Sequence, residues 1–223
     1  MFGGGTAANT AVLSDGQLQL QGGAVASGIV DQGGFIDLLD GTASGVTLGA
    51  GSFLSLTSGT VSGFTVSSGA SIAAVTGALL GGTVLPGGTV TYVPGAHGTA
   101  SGLTLAGGTL NLSGGSATNT LANGGTIKVT GVAVRSGTVL QAGATEYNEN
   151  GFSFGTVINS GSVQSFLYGS ATGTVVNSGG VQLAGSATGE WRDHRAGACG
   201  PVGDVCACGI GQPRHPAGGR RAV

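Results

Sequence analysis

The chain has 223 residues, 49 of them Gly, with 7% charged and 5% aromatic side chains and a formal net charge of -2, and its mean hydropathy is +0.34. With 5 Pro and no Gly at every third position it is not collagen-like, and its low charge with plentiful Val, Leu, Ile and Ala is the reverse of a disordered composition. Only 7 Lys+Arg are present, too few for a nucleic-acid footprint, and no run of 18 apolar residues offers a membrane-spanning helix.

Met1–Thr6 has neither a basic segment nor an apolar run, so it does not read as a standard secretory signal. From there the chain repeats itself. A small residue, here called g, precedes each x-apolar-x-apolar run: Gly16, Gly34, Ser52, Ala70, Gly88, Gly108, Gly125, Gly143, Gly161 and Gly179. Successive anchors lie 18 residues apart, save one spacing of 20 and one of 17. Ten copies at so constant a period predict a solenoid.

Alternation sets the class. Position g+2 reads Leu18, Ile36, Leu54, Ile72, Val90, Leu110, Ile127, Thr145, Val163 and Val181. Position g+4 reads Leu20, Leu38, Leu56, Ala74, Tyr92, Leu112, Val129, Tyr147, Ser165 and Leu183. Residues two apart share one face of a strand, so both columns are expected inside. Before the turn, g-4 supplies a second expected core column: Val12, Val30, Leu48, Val66, Val84, Leu121, Val139, Val157 and Val175. In the sixth copy this place holds Thr104, with Leu103 or Leu105 as substitute. Small-residue segments such as Gly41–Gly45 and Gly169–Gly173 predict a corner and a third short strand, its Ala inward.

Eighteen residues are too few for a βαβ crossover but enough for three short strands and three corners. The expected fold is therefore all-β, a parallel β-helix of about ten rungs over residues 1–189. At about 4.8 Å per rung it would be on the order of 45–50 Å long. The anchors Gly16, Gly34, Gly88, Gly108, Gly125, Gly143, Gly161 and Gly179 are expected at turns that need positive φ. Asn123, Asn159 and Asn177 are expected to tolerate the same region, and Asn159 and Asn177, in adjacent copies, to bond between rungs. Pro86 and Pro94 belong at corners, with His97 on an outward bulge. Glu146, Tyr147, Glu149 and Asn150 mark the eighth copy as a polar excursion.

Residues 190–223 break the pattern. They hold 8 charged residues, as many as residues 1–189, together with the sole Trp and all 3 Cys. This tail is expected to be irregular and disordered. Cys199, Cys206, Cys208, His194 and His215 lack the paired spacing of a zinc clamp, so no metal is expected. Glu190–Arg195 is also compatible with a shifted reading frame that would continue the repeat. Neither Met1–Gly5 nor the tail reads as a cap, and end-to-end association of the isolated chain is expected.

No catalytic constellation stands out. Asp37 and Glu146 share column g+3, and Asp40 and Glu149 share g+6, but six rungs separate them. Carboxylates that far apart cannot flank one glycosidic bond. His97 is the lone His of the repeat body and has no nucleophile partner. No cofactor is expected.

The runs Gly155–Gly161, Gly169–Gly173, Gly173–Gln182 and Gly185–Gly189 resemble the strand-loop-strand repeats of AIDA-type autotransporter passengers, a family of bacterial surface adhesins. The resemblance is close over 155–189, looser over 6–154 and absent from 190–223. It implies a right-handed β-helical stalk carried to the cell surface by a C-terminal β-barrel translocator. It also implies adhesion to other cells, surfaces or like rods, and in some members O-glycosylation by a glycosyltransferase. By motif the candidate acceptors are Ser160 and Ser178 in Asn-Ser-Gly, and Ser116, Ser170 and Ser186 in Gly-Ser-Ala-Thr; the other reading is plain turn hydroxyls. The expected function is a non-enzymatic structural and adhesive stalk. The alternatives are a carbohydrate-active β-helix enzyme and a non-functional truncated repeat.

Overall fold

The structure is a computed structural model that describes residues 4–185 and the two-residue strand Cys206–Ala207. It is a β-solenoid of ten rungs, and no helix occurs among the described residues. Each rung has three walls. In the eighth they are Val134–Ser136, Val139–Gln141 and Thr145–Asn148; in the ninth, Phe152–Phe154, Val157–Ile158 and Val163–Phe166. Pairing between them is parallel on every wall: Val134 faces Phe152, Val139 faces Val157 and Thr145 faces Val163. In the second to fifth rungs the first two walls are one bent strand, Val25–Gln32, Thr42–Leu48, Thr60–Val66 and Ala78–Val84.

The third wall runs from Gln17–Leu20 to Val181–Ala184, with Cys206–Ala207 added antiparallel to its last strand. The rest of 186–223, with Ser186 and the questions of tail order and metal binding, lies outside the described residues. Among the described residues no helix is long and apolar enough to cross a membrane.

Alternation explains the core as far as the seventh rung. Ile36, Leu38, Leu54, Leu56, Ile72, Val90, Tyr92, Leu110, Leu112, Ile127 and Val129 are all buried in the expected columns. The first wall adds Ala26, Ala43, Ala100 and Ala117, small residues opposite the bulky ones. Each Leu or Ile so enclosed contributes about 1.5–3 kcal/mol. Pro86 and Pro94 lie outside the strands and His97 is exposed, as expected.

The core column before the turn needs correction. Val12, Leu48, Val66 and Val84 are buried as expected, but Val30 is 42% exposed. Asp31 takes its place, level with Val12 below and Leu48 above. Leu105 fills the column in the sixth rung, level with Ala122 in the seventh. Most turns close with an N–H to C=O bond spanning four residues, such as Gly16 to Leu13 and Gly88 to Leu85. In the second, sixth and seventh rungs the segment between the inward residue and g is one residue shorter, so a different residue points inward. Leu121 is accordingly only half-buried.

A second correction concerns the last three rungs. Thr145 faces Thr126 and Glu146 faces Ile127, so the true g is Ala144, followed by Ser162 and Gly180. Gly143, Gly161 and Gly179 stand one residue earlier, at the left-handed position that Gly33 and Gly87 hold in earlier rungs. The extra residue enters at Ala142–Gly143, two successive left-handed residues at φ 53 and 78. A one-residue slip turns every side chain to the other face. Thr145, Tyr147, Val163, Ser165, Val181 and Leu183 therefore leave the fully buried interior, and Glu146, Asn148, Gln164, Phe166 and Gln182 enter it. On the second wall Val139, Val157 and Val175 stay level with half-buried Leu121 and are half-buried too, while Leu140 and Ile158, level with Ala122, are fully enclosed.

The anchors also need glycine for two different reasons. Gly161 and Gly179 have φ of 76 and 78. At Gly34 and Gly108 φ is not positive; there a Cβ would lie 2.5 Å from Val12 Cγ1 and 2.4 Å from Val84 Cγ1. Gly16, Gly88 and Gly125 belong to this second, space-limited group. Among the described residues the left-handed non-glycine ones are Asn9, Asp15, Asn119 and Ala142, and not Asn123, Asn159 or Asn177.

Candidate functional site: a polar lumen beneath an aromatic wall

The slip gives rungs eight to ten an interior unlike the rest. Arg135 projects inward from the first wall and Glu146 from the third, and the two form an ion pair with both side chains fully buried. Gln164, one rung on, donates from Nε2 to Glu146 Oε1 at 2.6 Å and to Ser153 Oγ at 3.3 Å. Ser153 and Thr156 hydroxyls are 2.7 Å apart. Gln182 then donates to Gln164 Oε1 at 2.8 Å and to Thr174 Oγ1 at 3.5 Å. The network thus runs up the lumen as a ladder. Arg135 Nε and Nη2 and the Ser162 hydroxyl are buried with no hydrogen-bond partner. Asn148 is held separately, accepting from Gly151 N at 2.6 Å.

Burying such a pair is costly, and its attraction roughly repays the desolvation only with good hydrogen bonding. A Leu or Ile in the Glu146 place, as in earlier rungs, would avoid that cost. What the network does secure is orientation. Ser153 is bonded inward, and the strand Phe152–Phe154 that carries it presents both phenyl rings outward.

The outer surface here is correspondingly apolar. Phe152 and Phe154 are 39% and 42% exposed, Tyr147 and Tyr168 both 52%. Val134 is exposed level with Phe152, and Val132 and Leu167 are exposed on the corners between strands. Ser136 and Thr172 flank Phe154 in register, and Val134 and Ser170 flank Phe152. Glu149 and Asn150 lie exposed on the corner that leads into this wall. The expected polar excursion covered Glu146, Tyr147, Glu149 and Asn150 and not Phe152 or Phe154; the signal available was Phe-Ser-Phe at 152–154 where the seventh and tenth copies read Ser-Ala-Thr.

The candidate acceptor serines do not converge. Ser160 and Ser178 are exposed on successive turns, Asn159–Ser162 and Asn177–Gly180. Asn177 Nδ2 donates to Asn159 Oδ1 at 2.7 Å, the expected bond between rungs. Ser116 and Ser170 are half-buried on the outer side of the first wall, three rungs apart.

The carboxylates are likewise dispersed, and both expected shared columns fail, since Asn148 is level with Leu38 and Glu149 therefore with Leu39 rather than Asp40. Asp37 and Glu146 do not share a column: Asp37 is on the outer face, accepting from Gln19 Nε2 at 3.3 Å, while Glu146 is inside. Asp31, also inside, accepts from Gly34 N at 2.7 Å through Oδ1, and its Oδ2 has no partner. Among the described residues no three His, Cys, Asp or Glu are grouped to hold a metal ion.

No protein-family model matches the chain, and no curated protein matches it. Among solved structures it is similar to the crystal structure of the TibC-catalysed hyper-glycosylated TibA55-350 fragment. The two are 21% identical, with a TM-score of 0.42, over 83% of this chain and 94% of that one.

Proposed function

We propose that this chain is a structural and adhesive segment, a rigid stalk displayed at a bacterial cell surface. The observation that carries the reading is the in-register stack of ten rungs. Its outer walls carry Ser and Thr hydroxyls and few charges, while the strongest electrostatic pairing, Arg135 with Glu146, is spent inside. Such a surface is built to be touched along its length. Other cells, abiotic surfaces or like rods are its partners, and no cofactor is involved.

The resemblance of residues 155–189 to AIDA-type passengers supports the same reading. It brings with it a β-barrel translocator and a glycosyltransferase acting on exposed turn hydroxyls such as Ser160 and Ser178. A non-catalytic role is supported by the separation of Asp37 and Glu146 onto opposite sides of the wall. Display of residues 1–189 on a non-adherent bacterial strain is the test. Faster settling or greater adherence than an empty display scaffold is expected; equality with the scaffold would reject the proposal.

A further inference from the structure

The aromatic surface of rungs eight to ten has no counterpart in the first wall of earlier rungs. There the outward pairs are hydroxyl-bearing in four rungs, Thr42 with Ser44, Thr60 with Ser62, Thr99 with Ser101 and Ser116 with Thr118, and aliphatic in part in two, Val25 with Ser27 and Ala78 with Leu80. In the ninth rung the same two places hold Phe152 and Phe154. From these residues we infer that Phe152 and Phe154 form a platform for neutral sugar rings. The inference rests on the adhesive reading above and names its ligand class.

Three observations select that occupant. The first is area. At roughly 200 Å² per aromatic side chain, the exposed fractions of these two rings amount to on the order of 150–200 Å². A stable protein interface takes about 800 Å² from each partner, so the platform suits one or two pyranose rings better than a second protein. The second is chemistry at the rim. The apolar C–H face of a pyranose stacks on an aromatic face while its equatorial hydroxyls point sideways. Here Ser136 and Thr172 lie on either side of Phe154 and Ser170 lies beside Phe152, each supplying a hydroxyl. Asn150 and Glu149 stand on the adjoining corner.

The third observation is charge. Among the described residues the Lys and Arg side chains are Lys128, on the third wall, and Arg135, buried in its ion pair. Glu149 is the charged group at the platform's edge. Among the described residues an anionic polysaccharide would meet Glu149 at the platform's edge with no exposed cation beside it, whereas a neutral sugar would meet no repulsion.

The platform is also held in place from behind. Its strand is fixed by Ser153, bonded to Thr156 and Gln164 in the lumen. A one-residue shift of that strand would bring a phenyl ring inside and break those bonds. The polar lumen and the aromatic exterior are two sides of one strand orientation.

Titration calorimetry of the full chain with tetramers of β-1,4-linked glucose, of N-acetylglucosamine and of galacturonic acid tests the inference. At least one neutral tetramer is expected to bind, and the acidic one at least tenfold more weakly. Phe152→Ser with Phe154→Thr installs the pair found in rung ten, Ser170 and Thr172, and is expected to lower affinity at least tenfold with an unchanged circular dichroism spectrum. Phe35→Ser with Phe53→Ser, on the third wall, is the control and should bind as the parent does. No binding by the parent, equal binding by the Phe152/Phe154 variant, or loss in the control variant each overturns the platform. So does a parent that binds no sugar but forms a dimer, by light scattering, that the Phe152/Phe154 variant abolishes. Cells that adhere while the chain binds none of the sugars would reject the platform and leave the adhesive role standing. Sugar binding at the platform without any adherence would do the reverse.

Discussion

The Arg135 guanidinium and the Glu146 carboxylate meet across the lumen of a single rung, from opposite walls, with neither side chain exposed. The pair closes the apolar part of the solenoid and begins the polar part, since Glu146 is also the first acceptor of the Gln164–Gln182 ladder.

Removing one partner should therefore cost far more than removing both. Arg135→Ala, which restores the Ala of the neighbouring Ala117, leaves Glu146 buried and unpaired and is expected to destabilise by about 3–5 kcal/mol. Combining it with Glu146→Ile, the residue type of Ile127, is expected to recover at least half of that loss. Urea unfolding of the two single variants and the double variant gives the coupling. A single Arg135→Ala variant as stable as the parent would contradict the buried pair.

The slip at Ala142–Gly143 makes a sharp prediction about which side chains meet solvent. With the tail cysteines replaced by Ser, Tyr147→Cys and Ser165→Cys should react readily with a soluble thiol reagent in the native state. Asn148→Cys and Phe166→Cys should be protected until the chain unfolds. The opposite pattern is what strict counting from Gly143 requires, so labelling rates decide between the two registers.

Glycine substitutions should separate the two reasons for glycine at the turns. Gly161→Ala forces a side chain into the left-handed region, with no atom within 3.9 Å of the new Cβ except by that strain. A loss of roughly 1–2 kcal/mol is expected. Gly34→Ala keeps an allowed φ but places Cβ 2.5 Å from Val12 Cγ1 and 2.7 Å from backbone oxygens of Gly16 and Leu13. Its cost is overpacking, about 1–3 kcal/mol. Substituting Asn at both sites distinguishes them in thermal unfolding: Asn should recover stability at Gly161, where it tolerates positive φ, and not at Gly34.

Tyr92 gives the chain an alkaline limit. Its hydroxyl donates to Thr99 O at 2.7 Å, and burial pushes its pKa well above the usual 10.0. A folded pKa above the unfolded one means that the native state holds the proton more tightly. Stability from this group is thus complete below about pH 10 and falls as pH rises beyond it. Tyr92→Phe should cost about 1–3 kcal/mol at neutral pH, because the Thr99 carbonyl loses its donor. The variant should also show a shallower decline in melting temperature between pH 10 and 12; an identical slope would remove Tyr92 as the cause.

Periodicity by itself determined the architecture. Leu18, Ile36, Leu54, Ile72 and Val90 recur at a fixed spacing, each two residues before a second inward position at Leu20, Leu38, Leu56, Ala74 and Tyr92, the period of stacked strands. The Asn159–Asn177 bond was legible for the same reason, since identical residues one period apart must lie level with each other. Which residue faces inward was a different matter. Val30 against Asp31, and Tyr147 against Glu146, differ by a single residue in turn length, and turns such as Gln141–Ala144 hide such a difference because more than one small residue in them can serve as the anchor. Only the three-dimensional pairing fixes the register, through hydrogen bonds such as Thr145 N to Gly125 O that count residues between walls rather than along the chain. Glu146, Gln164 and Gln182 enter the lumen because that count comes out one residue longer at Ala142–Gly143, while the first wall keeps its 18-residue register and carries Phe152 and Phe154 outward.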